Sequence, residues 1–133
     1  MYEYKDFFDE MAFDFKISPD FLIKEFDKSN RSMILRQNNV PIGILIMDDN
    51  YYEKLNEFVH FIKFLWIQVR YRGNHVGSKV VNNIMLLNNL ITKNRSCIVL
   101  NVEKNYNVIN FYKKLNFEQI DDNGNYIVLI KRI

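Results

Sequence analysis

Arg70-Tyr71-Arg72-Gly73-Asn74-His75-Val76-Gly77 brings two guanidinium groups and two glycines into one short stretch. It follows an apolar run, Phe58 to Val69, rich in β-branched and aromatic residues, which reads as a buried strand. Beyond it, Val76, Val80, Val81, Ile84, Leu87 and Ile91 recur near the helical period. A helix start leaves main-chain N–H groups without partners and carries partial positive charge. With two arginines and two glycines added, the turn from Arg70 to Gly77 becomes a cradle for an anion, most simply the phosphates of a nucleotide-type cofactor. Taken without that context, Arg70 and Arg72 are solvated loop charges. His75, in the first helical turn, then reads as a surface side chain.

The elements that must hold this turn follow from pattern. Tyr4, Phe7, Phe8, Met11 and Phe15 fall at helical spacing within residues 2 to 15. Ser18 is placed as an N-cap and Pro19 at the first helical position of a second helix running to about Lys28. Arg31 to Gln37 and Ile42 to Met47 form an antiparallel hairpin across Asn38-Asn39-Val40-Pro41. Asp48 to Asn56 is expected to be a polar connection. After the long strand, the turn and a helix to about Lys93, Cys97 to Val102 is a short strand. Strand, helix and strand in succession predict a parallel pair with a right-handed crossover. A short helix, Val108 to Leu115, precedes strands Phe117 to Asp121 and Tyr126 to Lys131, joined at Asp122-Asn123-Gly124-Asn125. The fold class is therefore α/β (α+β), a mixed sheet with helices on its faces.

Composition narrows the function classes. A chain of 133 residues, 48% apolar, is long enough for one core without staples. A net charge of +2 does not argue for nucleic acid or an anionic membrane as partner. A single cysteine excludes an internal disulfide and a cysteine-rich zinc site. No apolar run approaches the ~20 residues a bilayer needs. The first residues lack a basic start and an apolar stretch, so no signal peptide and a cytoplasmic setting are expected. No metal site is expected, and a homodimer is compatible with the sequence.

Residues 72 to 77 resemble the acyl-CoA-binding signature of the GNAT acetyltransferases, Arg/Gln-x-x-Gly-x-Gly/Ala. Arg72 takes its first position, Gly77 its last, and His75 stands at the middle glycine. Residues 100 to 117 resemble the family's other recurrent block, in which an apolar strand leads to an asparagine and a short helix ends in Tyr-x-x-x-Gly-Phe. Here Asn105 takes the asparagine position, Phe111-Tyr112 the aromatic pair, and Asn116-Phe117 replaces Gly-Phe. Asparagine tolerates the left-handed conformation that closes a helix. The likeness spans roughly Arg31 to Ile133. It implies one GNAT-like domain, 1–133, with two early helices and without the family's usual opening strand.

The resemblance implies acetyl-CoA as cofactor and transfer to a primary amine by direct attack. It places Ile67, Gln68 and Val69 along the pantetheine arm, in a gap between splayed parallel strands where the arm acts as an added strand. It places Arg72, Gly73, Asn74, His75, Val76, Gly77 and Ser78 around the diphosphate and Asn105 beside the arm. Tyr112 falls at the usual general-acid position, where a phenol pKa near 10 keeps its proton at neutral pH. A base is not assigned. The strand face where relatives carry a carboxylate reads Val59, Phe61, Lys63 and Leu65. Glu57, His60, Asp48, Asp49 and Glu103 are near in sequence without a motif to place them, and a water chain serves equally. Cys97, opening an apolar strand, reads as buried and inert. Tyr51 and Tyr52 either line an acceptor cleft or sit in an exposed loop. The acceptor, a small-molecule or peptide amine, is open. A degenerate domain that binds CoA or a protein partner without catalysis is the alternative, and a pure interaction module the third reading.

Overall fold

The computed structural model describes residues 4–73, 75–91, 97–104 and 106–132, with main chain alone for 85–91 and 106. The chain begins with α1 (Lys5–Phe15) and α2 (Pro19–Lys28), then β1 (Met33–Gln37), β2 (Val40–Tyr52) and β3 (Glu57–Ile67). A 3-10 turn at Val69–Tyr71 leads to α3 (Val76–Ile91), followed by β4 (Cys97–Glu103), α4 (Tyr106–Lys114), β5 (Glu118–Asp122) and β6 (Tyr126–Arg132). Among the described residues no strand precedes α1, and no helix is long and apolar enough to cross a membrane.

Local chemistry explains the boundaries. α1 closes with Lys16 left-handed at φ 57°, so that the Ile17 N–H reaches back to the Ala12 carbonyl (3.1 Å). Ser18 adopts the extended N-cap backbone and Pro19 the first helical position, although the Ser18 hydroxyl makes no capping bond. The β1–β2 turn is narrower than the sequence suggests. Asn38 and Asn39, at φ 52° and 65°, are its two central residues. Pro41 already lies in β2, opposite Arg36 at a register shift.

The expected polar connection from Asp48 to Asn56 is in large part strand. β2 runs on through Tyr52, pairing Asp48 to Tyr52 with Phe61 to Glu57. The acids there are satisfied rather than solvated. Asp48 accepts from the Asn30 N–H (2.9 Å), and Asp49 binds Arg31 (2.8 Å) and His60. A polar run is thus held in a strand by partners distant in sequence. β3 in turn stops at Ile67, two residues short of the expected Val69, because the chain curls into the 3-10 turn.

The six strands form a single mixed sheet, ordered β1-β2-β3-β4-β6-β5, with β3 and β4 parallel. α1 and α2 cover one face, packing Phe8, Met11 and Leu22 on Ile44, Ile46 and Trp66. α3 and α4 cover the other, where Val81, Ile84 and Tyr112 meet Leu45, Met47, Ile62, Leu100 and Leu129. Burying these two layers is the main favourable contribution to the fold, at roughly 25 cal/mol per Å² of apolar surface.

Candidate functional site

β3 and β4 bond to each other over three rows, His60–Ile98, Phe61–Val99 and Ile62–Leu100. Past that point each keeps only its outer neighbour. β4 continues against β6, and Phe64 to Ile67 continue against β2. The parting coincides with a β-bulge. Ile46 lies opposite Phe64 and Met47 opposite Ile62, leaving Lys63 as the extra residue of β3. A bulge bends its strand and sharpens the local twist, which turns β3 away from β4. Lys63 is anchored toward α2 by Asp48 (2.9 Å) and Glu25 (3.0 Å).

The free edge can be read from hydrogen-bond alternation. The Gln68 N–H donates to the Ile42 carbonyl across the β2–β3 pair (2.8 Å). The backbone groups of Ile67 and Leu65 therefore point the opposite way, into the gap toward β4. The Ile67 carbonyl is met there by the Arg72 Nε (2.7 Å). Gln68 itself faces β2 and α1, since its side chain donates to Glu10 (2.9 Å).

At the mouth of this gap lies the glycine-bearing turn. The Lys79 N–H donates to the His75 carbonyl (3.0 Å), which makes His75 the residue before the first turn of α3. The N–H groups of Val76, Gly77 and Ser78 then have no partner four residues back. His75 holds φ 61°, the left-handed conformation that a glycine at this position adopts freely. The side chain has changed and the backbone shape has not, at a cost of roughly 1–2 kcal/mol. Gly77 answers a packing need, because a Cβ there would sit 3.0 Å from the Phe111 ring of α4. Arg72 is no free loop charge. Besides Ile67 it binds Asp14 of α1 (3.1 Å), and Asp14 also accepts from the Trp66 indole (2.8 Å). Asn74 and Asn105 lie outside the described residues.

On the α3–α4 side, Leu65, Val102 and Tyr112 belong to one core cluster. The Tyr112 ring packs edge-on to Phe111 (5.0 Å) and Phe117 (5.3 Å). Burial pushes its pKa up to about 12. Its helix ends as the sequence suggests, with Asn116 at φ 71° and the Phe117 N–H returning to the Tyr112 carbonyl (3.1 Å).

Of the acids named from the sequence, Asp48, Asp49 and Glu57 are engaged, while Glu103 is exposed at the end of β4. Glu57 pairs with Arg132 (3.0 Å), and Asp49 lies between Arg31 and buried His60. The Lys63 ammonium holds the Glu25 carboxyl below its usual value. Burial works against ionisation of Asp48, yet the Asn30 N–H and Lys63 keep its carboxyl low as well. Burial also disfavours charge on Lys63, but Asp48 and Glu25 raise its pKa. Val59, Phe61 and Lys63 share the α1–α2 face as expected, whereas Leu65 does not. The bulge reverses the alternation, so Phe64 and Trp66 take that face and Leu65 joins the opposite core. The signal was present as a phase slip between Val59-Phe61 and Phe64-Trp66. Asp14 and Glu10 carried no comparable mark. Among the described residues no cluster of His, Cys, Asp and Glu could hold a metal ion.

The model of the Acetyltransferase (GNAT) family matches residues 2–117. The chain belongs to this family. Solved structures share the fold of this GNAT chain. The PaiA N-acetyltransferase of Thermoplasma acidophilum, in complex with coenzyme A, superposes with TM-score 0.68 at 17% identity over 93% of this chain and 77% of its own. A GNAT acetyltransferase of Elizabethkingia anophelis with acetyl-CoA bound gives 0.64 at 16% identity over 85% and 82%. An acetyltransferase of Thermus thermophilus gives 0.69 at 18% identity over 86% and 71%. No curated protein matches the chain.

Proposed function

We propose that this chain transfers the acetyl group of acetyl-CoA to a primary amine by direct attack. Family membership supports acetyl transfer with acetyl-CoA as donor. The observation that carries the finer reading is the gap past Ile62 and Leu100, with main chain along it that β3 and β4 no longer pair and a helix start at its mouth. Leu65 and Ile67 offer main-chain groups to a pantetheine arm. Gln68 and Val69 support that edge where the strand ends, and Asn105 is assigned the far side. Amides of Val76, Gly77 and Ser78 receive the diphosphate, with Arg72, Gly73, Asn74 and His75 shaping the turn. Tying Arg72 to Asp14 and Ile67 fixes the turn on β3 and α1 before any ligand arrives, which lowers the ordering cost of binding.

When bound, the cofactor supplies a thioester whose carbonyl carbon is open to an amine. The Ile67 N–H polarises that carbonyl. The new C–N bond forms as the C–S bond breaks, and the proton lost by the amine ends on the thiol. Tyr112, with its pKa near 12, is a weaker acid than an ordinary thiol at about 8.5. It therefore acts as a hydrogen-bond donor to the departing sulfur and keeps its own proton. No side chain is assigned as base. Glu25 and Asp48 are low and Lys63 is charged, so water relays the amine's proton to the thiolate.

A second reading, cofactor binding without turnover, is favoured by His75 in place of glycine. Thermal unfolding with acetyl-CoA tests the binding. At about a hundredfold excess over Kd the native state gains about 2.7 kcal/mol. An unmoved midpoint at millimolar cofactor overturns both readings, and binding without thiol release from any amine leaves the second. The setting we assign is cytoplasmic, in keeping with Cys97 as a buried cysteine outside any disulfide.

A further inference from the structure

β1 is an edge of the sheet, and among the described residues no strand lies on its outer side. Which of its main-chain groups face outward follows from the β1–β2 ladder. The Arg31 N–H donates to the Met47 carbonyl (3.1 Å), in the register that sets Met33 against Leu45 and Leu35 against Gly43. Arg31, Met33 and Leu35 therefore bond inward to β2, and the N–H and carbonyl groups of Ser32, Ile34 and Arg36 point away from it. The alternation holds through Arg36, because the register shift takes its extra residue, Ile42, from β2.

Side chains along this edge are apolar on both faces. Met33 and Leu35 join the core under α3 and α4, and Ile34 the one under α1 and α2, each still partly exposed. The neighbouring cations are turned aside. Arg31 binds Asp49 (2.8 Å), while Arg36 lies over the Tyr4 ring (5.6 Å) and donates to its hydroxyl. The opposite edge of the sheet is guarded. β5 carries Glu118, Asp121 and Asp122 and is interrupted by a bulge after Gln119, and both features discourage strand addition.

We propose that β1 pairs with β1 of a second copy of this chain, antiparallel about a two-fold axis at Ile34. A ladder can join only outward-facing residues, and this axis does so. Ile34 meets its own counterpart, and Ser32 meets Arg36 at either end. Each such pair exchanges both of its main-chain hydrogen bonds. On the α3–α4 face Met33 then opposes Leu35, apolar against apolar, and no like charges stand opposite one another. The same operation on β5, centred on Ile120, would set Glu118 against Asp122, acid against acid. Joining β1 to β5 would leave an edge free at each end and build a filament, and Asp121 and Asp122 already hold Lys54 and Lys104. The two-fold pair closes. A five-residue ladder is short, so the interface lies at or below roughly 1,200 Å² and the dimer forms in the micromolar range.

The test is sedimentation of the full chain from low micromolar to near-millimolar concentration, with amide hydrogen exchange over the same range. Expected is a monomer–dimer equilibrium, with exchange at Ile34 and Arg36 slowed about tenfold at the highest concentration. Met33 and Leu35, already bonded to β2, are the slow reference. Ile34→Pro removes an outward donor and leaves the β1–β2 ladder whole, so it should weaken dimerisation by about tenfold or more. If that variant folds poorly, exchange in the unaltered chain decides alone. A chain that stays monomeric throughout overturns the proposal. So does a dimer in which Ile34 and Arg36 keep their dilute exchange rates, or one protected at Ile120 instead. Growth beyond a dimer would mark β1–β5 joining and overturns it as well.

Discussion

From His60 to Ile62, β3 bonds a strand on each side; past the bulged Lys63, from Phe64 to Ile67, it bonds β2 alone. Both stretches are largely apolar and aromatic, so side-chain type does not separate them. A single extra residue does. Lys63 breaks the register, its charge is held toward α2 by Glu25 and Asp48, and the strand leaves its parallel neighbour. The paired half behaves as core, with Ile62 buried against Leu100 and Met47. In the free half, main-chain groups with no ladder partner must meet water or a ligand, because burying one unsatisfied costs about 1–3 kcal/mol. Structural and ligand-binding backbone thus alternate along one strand without a change of composition.

The sharpest way to break this comparison is at Gly43, which pairs with Ile67. A Cβ there would lie 2.3 Å from the Trp66 carbonyl oxygen, an atom that cannot move aside. Gly43→Ala should lower stability by on the order of 3 kcal/mol in chemical denaturation and abolish acetyl-CoA binding. In the paired half, Ile98→Ala should cost about 2–5 kcal/mol while leaving the Kd for acetyl-CoA unchanged. Equal effects of both on Kd would erase the distinction.

Tyr112→Phe comes next. Turnover should fall by about a hundredfold or more with acetyl-CoA affinity retained, and unaltered turnover would remove Tyr112 from the mechanism. The phenol also sets a pH dependence. Its pKa is raised in the fold to about 12 from the ordinary phenol value of 10.0. Its contribution is therefore complete below pH 10 and lost as pH climbs toward 12, about 3 kcal/mol in all. Alkaline unfolding scans should steepen over that window for the native chain and flatten for Tyr112→Phe. Below pH 10 the rate should keep rising as more of the amine is neutral; a descending limb near pH 8 contradicts this.

Asp14→Asn probes what holds the free half to its turn. Losing the ionic contact to half-exposed Arg72 should cost about 1 kcal/mol of stability. Acetyl-CoA affinity should fall by more, and an unchanged Kd would make the contact merely structural. His75→Gly is the smallest change. Relief of the left-handed strain and the added freedom of the unfolded chain oppose each other, so stability should move by less than about 1 kcal/mol. Calorimetry should register a modest gain in acetyl-CoA affinity, and a loss would show that the imidazole itself contacts the ligand.

Much of the scaffold was legible because it rests on local rules. Pro19 after Ser18 marked a helix start, Asn116 a left-handed helix end, and the apolar run from Phe58 a central strand. Asp48 to Tyr52 misled for a long-range reason. Their polar groups find Asn30, Arg31, Lys63 and His60, none of them local enough for a pattern to register. Leu65 was assigned to the wrong face because strict alternation assumes an unbroken register.

The order of residues alone determined the sequence of elements, the turn that resembles a phosphate cradle and the placing of a tyrosine after β4, since each depends on neighbours in the chain. Where β3 parts from β4, which backbone groups face that gap, and what Arg72 holds were decided only by tertiary structure. Those outcomes depend on α1, α2 and β2 meeting β3, and no local pattern encodes which distant carboxylate will receive a given cation.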